Sequence, residues 1–364
     1  MRPRRPHAIH GPRPAQHGAA LLTAMIIVAL IATVSAGMVW QQWRAVQVEA
    51  AERAQVQSQW ILQGALDWAR LILREDARSS KEDHLGEPWA VPLAEARLST
   101  FLAADRANNS SDQEGLDAFL SGTIQDAQAR YNLRNLVAQG RVQSLELTSL
   151  QRLCETLGLP GQVAQTIADG LRRSTLGSSA DVQSDAATGT ASVGNTATLS
   201  STSSSTSGQG AMPLAPQSVA QLTWLGLDAA TIQRLAPHVV MLPQPTPVNL
   251  NTAGREVIAA VLTTVDLSAA QRLVQSRQRS PLKKLEDVRA VLGENVAGLD
   301  AQRVDVKSSY FEVQGTMRLE QLTVAQRSLL ERRNREVRVL RTERVRLSSD
   351  GGPAGGPNVN SLSQ

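Results

Sequence analysis

From Ala19 to Trp40 the chain carries no charged residue and is apolar almost throughout, long enough to cross a bilayer as a single helix. Upstream lie Arg2, Arg4, Arg5 and Arg13, with no acid before Gly18. Such an acid-free basic flank stays on the cytoplasmic side, so the large C-terminal part is expected in the periplasm. A secretory signal has a shorter apolar core followed by a small-x-small cleavage site. Here the distinctive junction precedes the apolar run, at His17-Gly18-Ala19.

A glycine set directly before a spanning helix resembles a prepilin leader. That resemblance implies cleavage between Gly18 and Ala19 by a prepilin peptidase and methylation of the new N-terminal Ala19. The helix then stays as an anchor in inner-membrane lipid. The fifth residue after the cut is Thr23, where most pilins and pseudopilins carry glutamate. A lone carboxylate in lipid is costly unless paired, so the threonine implies a subunit not built to stack on one below it in the usual way. The competing reading is a plain signal anchor in which Gly18 is incidental.

The four leader arginines also account for the net charge of +4: removing them from the 37 basic residues leaves 33, matching the 33 acids. The neutral remainder argues against a nucleic-acid partner. Hydrophobic residues at 42% suffice for a packed core, and a single cysteine, Cys154, excludes an intramolecular disulfide. Cys154 lies in a helical pattern beside Leu153 and Leu157 and is expected in the core.

Beyond the span, Val46, Ala50, Ala54, Gln57, Ile61, Ala65, Trp68 and Ile72 recur at spacings of four and three, predicting one amphipathic continuation of the helix. The expected organisation is a leader 1–18, a span 19–40, the helix continuation 41–78 and the first part of an α/β domain 79–146. A helical module follows at 147–245, broken at Gly158–Gly161, with a disordered Ser/Thr-rich insertion at 174–210. A second helical module covers 246–300, C-terminal strands 301–347, and a disordered tail 348–364. In detail, Ser79–Pro92 reads as a connection, Leu93–Asp105 as a short helix and Thr123–Leu136 as one or two strands. Pro243, Pro245 and Pro247 read as a stiff linker, and Thr252 or Asn251 as an N-cap before Glu256. Strands are expected at Tyr310–Leu319, Leu322–Arg332 and Val337–Leu347. Pairing of strands before and after the helical block makes that block an insertion into an α+β domain.

Several stretches together resemble type II secretion system protein K, a family of minor pseudopilins. They are Gly18 with Thr23, then Asp126 and Arg130-Tyr131-Asn132-Leu133-Arg134-Asn135-Leu136. Leu222-Thr223-Trp224-Leu225-Gly226-Leu227, Leu242-Pro243, Pro247-Val248-Asn249-Leu250-Asn251-Thr252-Ala253 and Ser308-Ser309-Tyr310-Phe311-Glu312-Val313 complete the set. The resemblance implies a pseudopilin fold: a long N-terminal transmembrane and amphipathic helix, an antiparallel sheet, and a large inserted helical domain with a helix-hairpin-helix or SAM-like module. It implies a non-catalytic subunit at the tip of a periplasmic pseudopilus, assembled with minor pseudopilins I and J. Calcium is associated with the family, but Asp169, Asp181 and Asp185 are fewer than the six to eight oxygens calcium takes, and no ligand is assigned.

Two rival classes fare less well. A membrane-anchored helix-hairpin-helix DNA-binding protein would grip phosphate through a Gly-hydrophobic-Gly hairpin, yet Val261–Ala269 has no glycine. Arg272, Arg277, Arg279, Lys283 and Lys284 then read as a solvated face, and no nucleic acid is expected. For an enzyme, the chain after Gly18 has only His84 and His238, neither with a metal-spaced partner, and no Gly-x-Ser-x-Gly or phosphate loop. The C-terminal arginines, Arg332 among them, read as a solvated sheet face. A minor pilin of a type IV pilus, built on the same leader and helix, is the nearest alternative.

Overall fold

The computed structural model describes residues 17–98, 118–185, 214–319 and 322–345. The leader before His17, residues 99–117, the greater part of the Ser/Thr-rich insertion and the tail lie outside the described residues. The chain divides into two compact units, Met1–Gln59 and Trp60–Gln364.

Helix α1 runs over His17–Ser79. In the first unit its apolar side chains are exposed from Leu21 through Trp43, as expected of a helix whose solvent is lipid. It is the one helix among the described residues long and apolar enough to cross a membrane. Trp40 and Trp43 stack with ring centroids 5.5 Å apart where the apolar run gives way to Arg44.

The second unit begins with the last turns of α1. Here Leu62, Leu66, Ala69 and Leu73 are buried, whereas Trp68 is half exposed. The buried stripe is therefore rotated about 100°, one residue, from the expected one through Ile61, Ala65, Trp68 and Ile72. Both stripes are apolar, so periodicity alone does not choose between them. Contact with the sheet does: Leu62 packs so closely over Gly315 that a Cβ there would sit 3.1 Å from its side chain.

The sheet has five antiparallel strands in the order β1-β2-β9-β10-β11. These are β1 (Leu93–Arg97), β2 (Ala118–Asp126), β9 (Tyr310–Leu319), β10 (Leu322–Arg333) and β11 (Glu336–Val345). Leu93–Arg97 was expected to open a helix. It is an edge strand because pairing with β2 supplies a ladder, with Ala96 opposite Leu120. The three C-terminal strands lie where the sequence places them. Residues alternate between the two faces of β9 and β10. Phe311, Val313 and Leu330 pack against Leu66, Ala69 and Leu73 of α1 and against Trp89. Tyr310 and Leu329 on the other face pack against Ala127, Val240 and Leu242.

Strands β2 and β9 are direct neighbours, Asp126 opposite Phe311, yet everything between them in sequence is a separate helical body. It contains α2 (Ser144–Thr156), α3 (Gln162–Asp185), α4 (Ala229–Leu235), α5 (Arg255–Val261), α6 (Leu267–Arg279) and α7 (Asp287–Leu292). Short pairings stitch it together: β3 (Tyr131–Asn132) with β6 (Val239–Val240), β4 (Val137–Ala138) with β5 (Arg141–Val142), and β7 (Val248–Asn249) with β8 (Val304–Asp305). Its core runs from Tyr131 to Val306 and includes Cys154, fully buried as expected. Helix α3 continues to Asp185, so the segment read as disordered from Ser174 is helical for its first turns. The helix-breaking signal at Gly158–Gly161 does separate α2 from α3.

Candidate functional site

The polar side chains that stand out in the sequence converge on one seam, where the helical body meets the sheet and the end of α1. The seam starts at Asp126, the last residue of β2. Its Oδ1 accepts from the backbone of Gln128 at 2.8 Å, capping the 3-10 turn Ala127–Ala129. Its Oδ2 accepts from Thr252 Oγ1 at 2.5 Å, Ser308 Oγ at 2.6 Å and Asn249 Nδ2 at 3.0 Å. Burial nonetheless pushes the Asp126 carboxyl up to about 6, the donors opposing that rise.

Asn249 Nδ2 also donates to the Asp83 carbonyl at 3.1 Å, and its Oδ1 accepts from the Asn251 backbone at 2.9 Å. Asn251 exchanges two hydrogen bonds with the backbone of Leu282, donating at 2.8 Å and accepting at 2.9 Å. Neither Asn251 nor Thr252 is therefore the expected N-cap; α5 is capped by Gly254 without a side-chain bond. Both are drawn into buried pairing, where an unsatisfied polar group would cost more than a missing cap.

The second cluster of signature residues does the same within the helical body. Asn132 Nδ2 donates to the Gln244 carbonyl at 2.8 Å and to Thr246 Oγ1 at 3.0 Å, and its Oδ1 accepts from the Leu242 backbone at 3.2 Å. Asn135 exchanges two bonds with the backbone of Thr246, donating at 2.9 Å and accepting at 3.0 Å. The proline-rich linker is therefore held by side chains rather than standing free. Arg130 pairs with Glu312 of β9 at 2.7 Å. Tyr131 donates to Glu146 Oε2 at 2.9 Å, and Arg303 pairs with the other oxygen at 2.6 Å. Burial first, then the Glu146 charge, pushes the Tyr131 hydroxyl well above its usual range.

The sequence does not announce the last part of the seam. Arg332, expected on a solvated face, is buried and pairs with Asp76 of α1 at 2.8 Å and with Asp83. It also donates to the Ser308 carbonyl at 3.0 Å, and its guanidinium lies 4.7 Å from the Phe311 ring centre. Asp83 Oδ2 accepts from the Ser308 backbone at 2.7 Å. Arg332 and Asp83 are 249 positions apart, so no local pattern signals the pair.

Asp76, Asp83 and Glu87 bring carboxylate oxygens within 4.8 Å of one another. They do not fit calcium. Four of their six oxygens already accept from Arg332, the Ser308 backbone, the His84 backbone or Trp89, whereas calcium takes six to eight oxygens. Asp169, near which the family resemblance would look for an ion, is exposed and lies 4.0 Å from Arg172.

Of the candidate phosphate contacts, Arg277 is buried and donates to the Leu250 carbonyl, so it is part of the core rather than of a solvated face. Gly18 and Ala19 fall in the first turn of α1, and Thr23 lies on its exposed stretch. His238 is lowered by burial, and its backbone bridges Leu235 and Tyr131. Most groups of the seam are thus engaged with one another. Asp126, Asn249, Ser308 and Arg332 join the helical body to the sheet and to α1, and the asparagines and Tyr131 hold the helical body itself. Glu87 Oε1 and Arg303 Nη1 are buried without a partner.

Comparison with known proteins agrees. Residues 129–244 and 248–310 match the two family models described as type II secretion system protein K. Among curated relatives, type II secretion system protein K of Pseudomonas aeruginosa is 28% identical over 76% of this chain and 76% of its own length. The Pectobacterium carotovorum protein of the same name is 25% identical over 91% of this chain and 97% of its own. The crystal structure of the GspK-GspI-GspJ complex from the enterotoxigenic Escherichia coli type 2 secretion system contains a chain matching 82% of this one and 99% of its own length. The TM-score is 0.57 at 19% identity, a likeness of fold. With a long apolar first helix, a sheet interrupted by a helical body, and family models that match residues 129–244 and 248–310 of that body and its return to the sheet, the chain belongs to the type II secretion system protein K family of minor pseudopilins.

Proposed function

We propose that this chain caps the tip of a periplasmic pseudopilus, anchored in the inner membrane by α1 and assembled with minor pseudopilins I and J. The observation that carries this reading is the helical body spliced between neighbouring strands β2 and β9. A large helical body set into an otherwise small fold supports a subunit that ends a stack rather than continuing it. The partners come from the likeness to a complex in which GspK is joined to GspI and GspJ. The role is read as non-catalytic from the family alone, a secretion pseudopilin.

Processing follows the leader. Cleavage falls between Gly18 and Ala19, Ala19 becomes the methylated N-terminus, and Thr23 stands where a stacking subunit would present glutamate. In this reading 79–146 and 301–347 form the α/β domain around modules 147–245 and 246–300, the second of them SAM-like.

The test is co-expression with a prepilin peptidase and mass spectrometry of the membrane-bound product. A methylated chain starting at Ala19 is expected, and Gly18→Leu should leave it uncut. A wild-type chain that stays uncut, or is cut after Trp40, sinks the prepilin reading. Failure of the processed chain to pull down I and J from detergent extracts sinks the tip assembly alone.

A further inference from the structure

The end of α1 is clasped to β10 by an unbalanced set of charges. Asp76, Asp83 and Glu87 are all buried, and one guanidinium, that of Arg332, faces them. Two formal negative charges are left over. Glu87 Oε2 accepts from the His84 backbone at 3.0 Å and from Trp89 Nε1 at 2.7 Å. Glu87 Oε1 is buried and has no donor. A buried ionised oxygen without a donor is costly.

A dication is a poor remedy, because most of the oxygens are engaged and the guanidinium occupies the same space. A single proton on Asp76 suffices. It removes one excess charge, and because an oxygen of each carboxylate lies within 4.8 Å of the others, a small approach of the two side chains brings that proton to the Glu87 Oε1 that lacks a donor. We propose that Asp76 takes up a proton and donates it in a hydrogen bond to Glu87, so that the clasp between the end of α1 and β10 tightens as the medium acidifies.

The surroundings support this. Burial first, then the Glu87 charge, raises the Asp76 carboxyl to about 6, with Arg332 opposing and Asp83 adding to the rise. Asp83 is raised by burial while Arg332 and the Ser308 backbone hold it down. The neighbouring His84 turns Nδ1 to the Gly86 backbone at 3.1 Å, and Lys307 next to Ser308 is exposed. From β2, Asp126 adds a negative charge facing Asp83.

For an acid raised in the folded state, the associated stability is fully present below the unfolded value and is lost as pH rises through the folded one. The window therefore runs from about 4 to about 6.

The experiment is hydrogen–deuterium exchange of the full chain in detergent micelles, following amides of residues 76–90 at pH 5 and pH 7 after correction for intrinsic rates. About tenfold stronger protection is expected at pH 5 than at pH 7. Asp76→Asn, which fixes a neutral donor, should show the pH 5 protection at both values. Glu87→Gln, which removes the acceptor charge, should flatten the dependence and keeps the test open if the first variant fails to fold. Equal pH dependence in the wild type and the Gln variant overturns the proposal. So does protection at pH 7 that rises with added calcium and collapses with a chelator.

Discussion

Arg332 shows how one side chain ties distant parts of the chain together. Nearby arginines behave as expected: Arg338 on β11 is exposed and pairs with Glu336 at 2.7 Å, and Arg333, next to Arg332 on β10, is exposed and pairs with Glu331 at 2.7 Å. Alternation along β10 turns Arg332 to the face that α1 covers, where Asp76 and Asp83 meet it. Removing one partner of a buried pair leaves the other charges uncompensated, which typically costs about 3–5 kcal/mol. Arg332→Met is therefore expected to lower the denaturation midpoint of the full chain strongly at pH 7 and less at pH 5, where Asp76 is neutral. A loss independent of pH would show that the guanidinium acts through packing on Phe311 instead. The asparagines of the seam were visible in the sequence as a pattern, but their tasks were not. Asn132 finds Gln244 and Asn249 finds Asp83 only once the chain has folded back on itself.

At the scale of elements, α1 was legible as a helix and its buried side was not. Both candidate stripes carry apolar residues, and the choice rests on what the sheet offers opposite. Trp89 completes that contact. It is 1% exposed and meets Phe311 edge-on with centroids 5.3 Å apart, although it comes from the 3-10 turn Pro88–Ala90 in a stretch that reads as a polar connection. Truncating a fully buried aromatic typically costs about 3–5 kcal/mol. Trp89→Ala is expected to destabilise the α1–sheet packing by that order in chemical denaturation, while leaving the exchange protection of α2 and α5 unchanged. Equal loss of protection in those helices would mean that the two bodies unfold as one. Strand β1 teaches the complementary lesson: Leu-Ala-Glu-Ala-Arg has a helical composition, and only the open edge of β2 makes it a strand.

For the molecule as a whole, the decisive feature is that the residues buried under α1 and those inside the helical body form separate cores. The body enters after Asp126 and leaves before Tyr310, and its own core carries Tyr131, Leu150, Ile167, Leu235, Ile258 and Val304. A fragment of residues 127–309 is therefore expected to retain its helices and melt in one cooperative transition by circular dichroism. A fragment that shows helix without a cooperative melt would mean that the sheet is needed to close its core.

By itself, the sequence determined the apolar run long enough to span a membrane, the helical block between two sets of strands and the polar signature that marks the family. These are local signals, carried by hydrophobicity, spacing and short motifs. Only the tertiary structure decided which side of α1 is buried, that β2 and β9 are neighbours, and that Arg332 meets Asp76 and Asp83. Each of those depends on residues far apart in the chain, and burial and charge pairing take their energy from the groups that folding brings opposite one another.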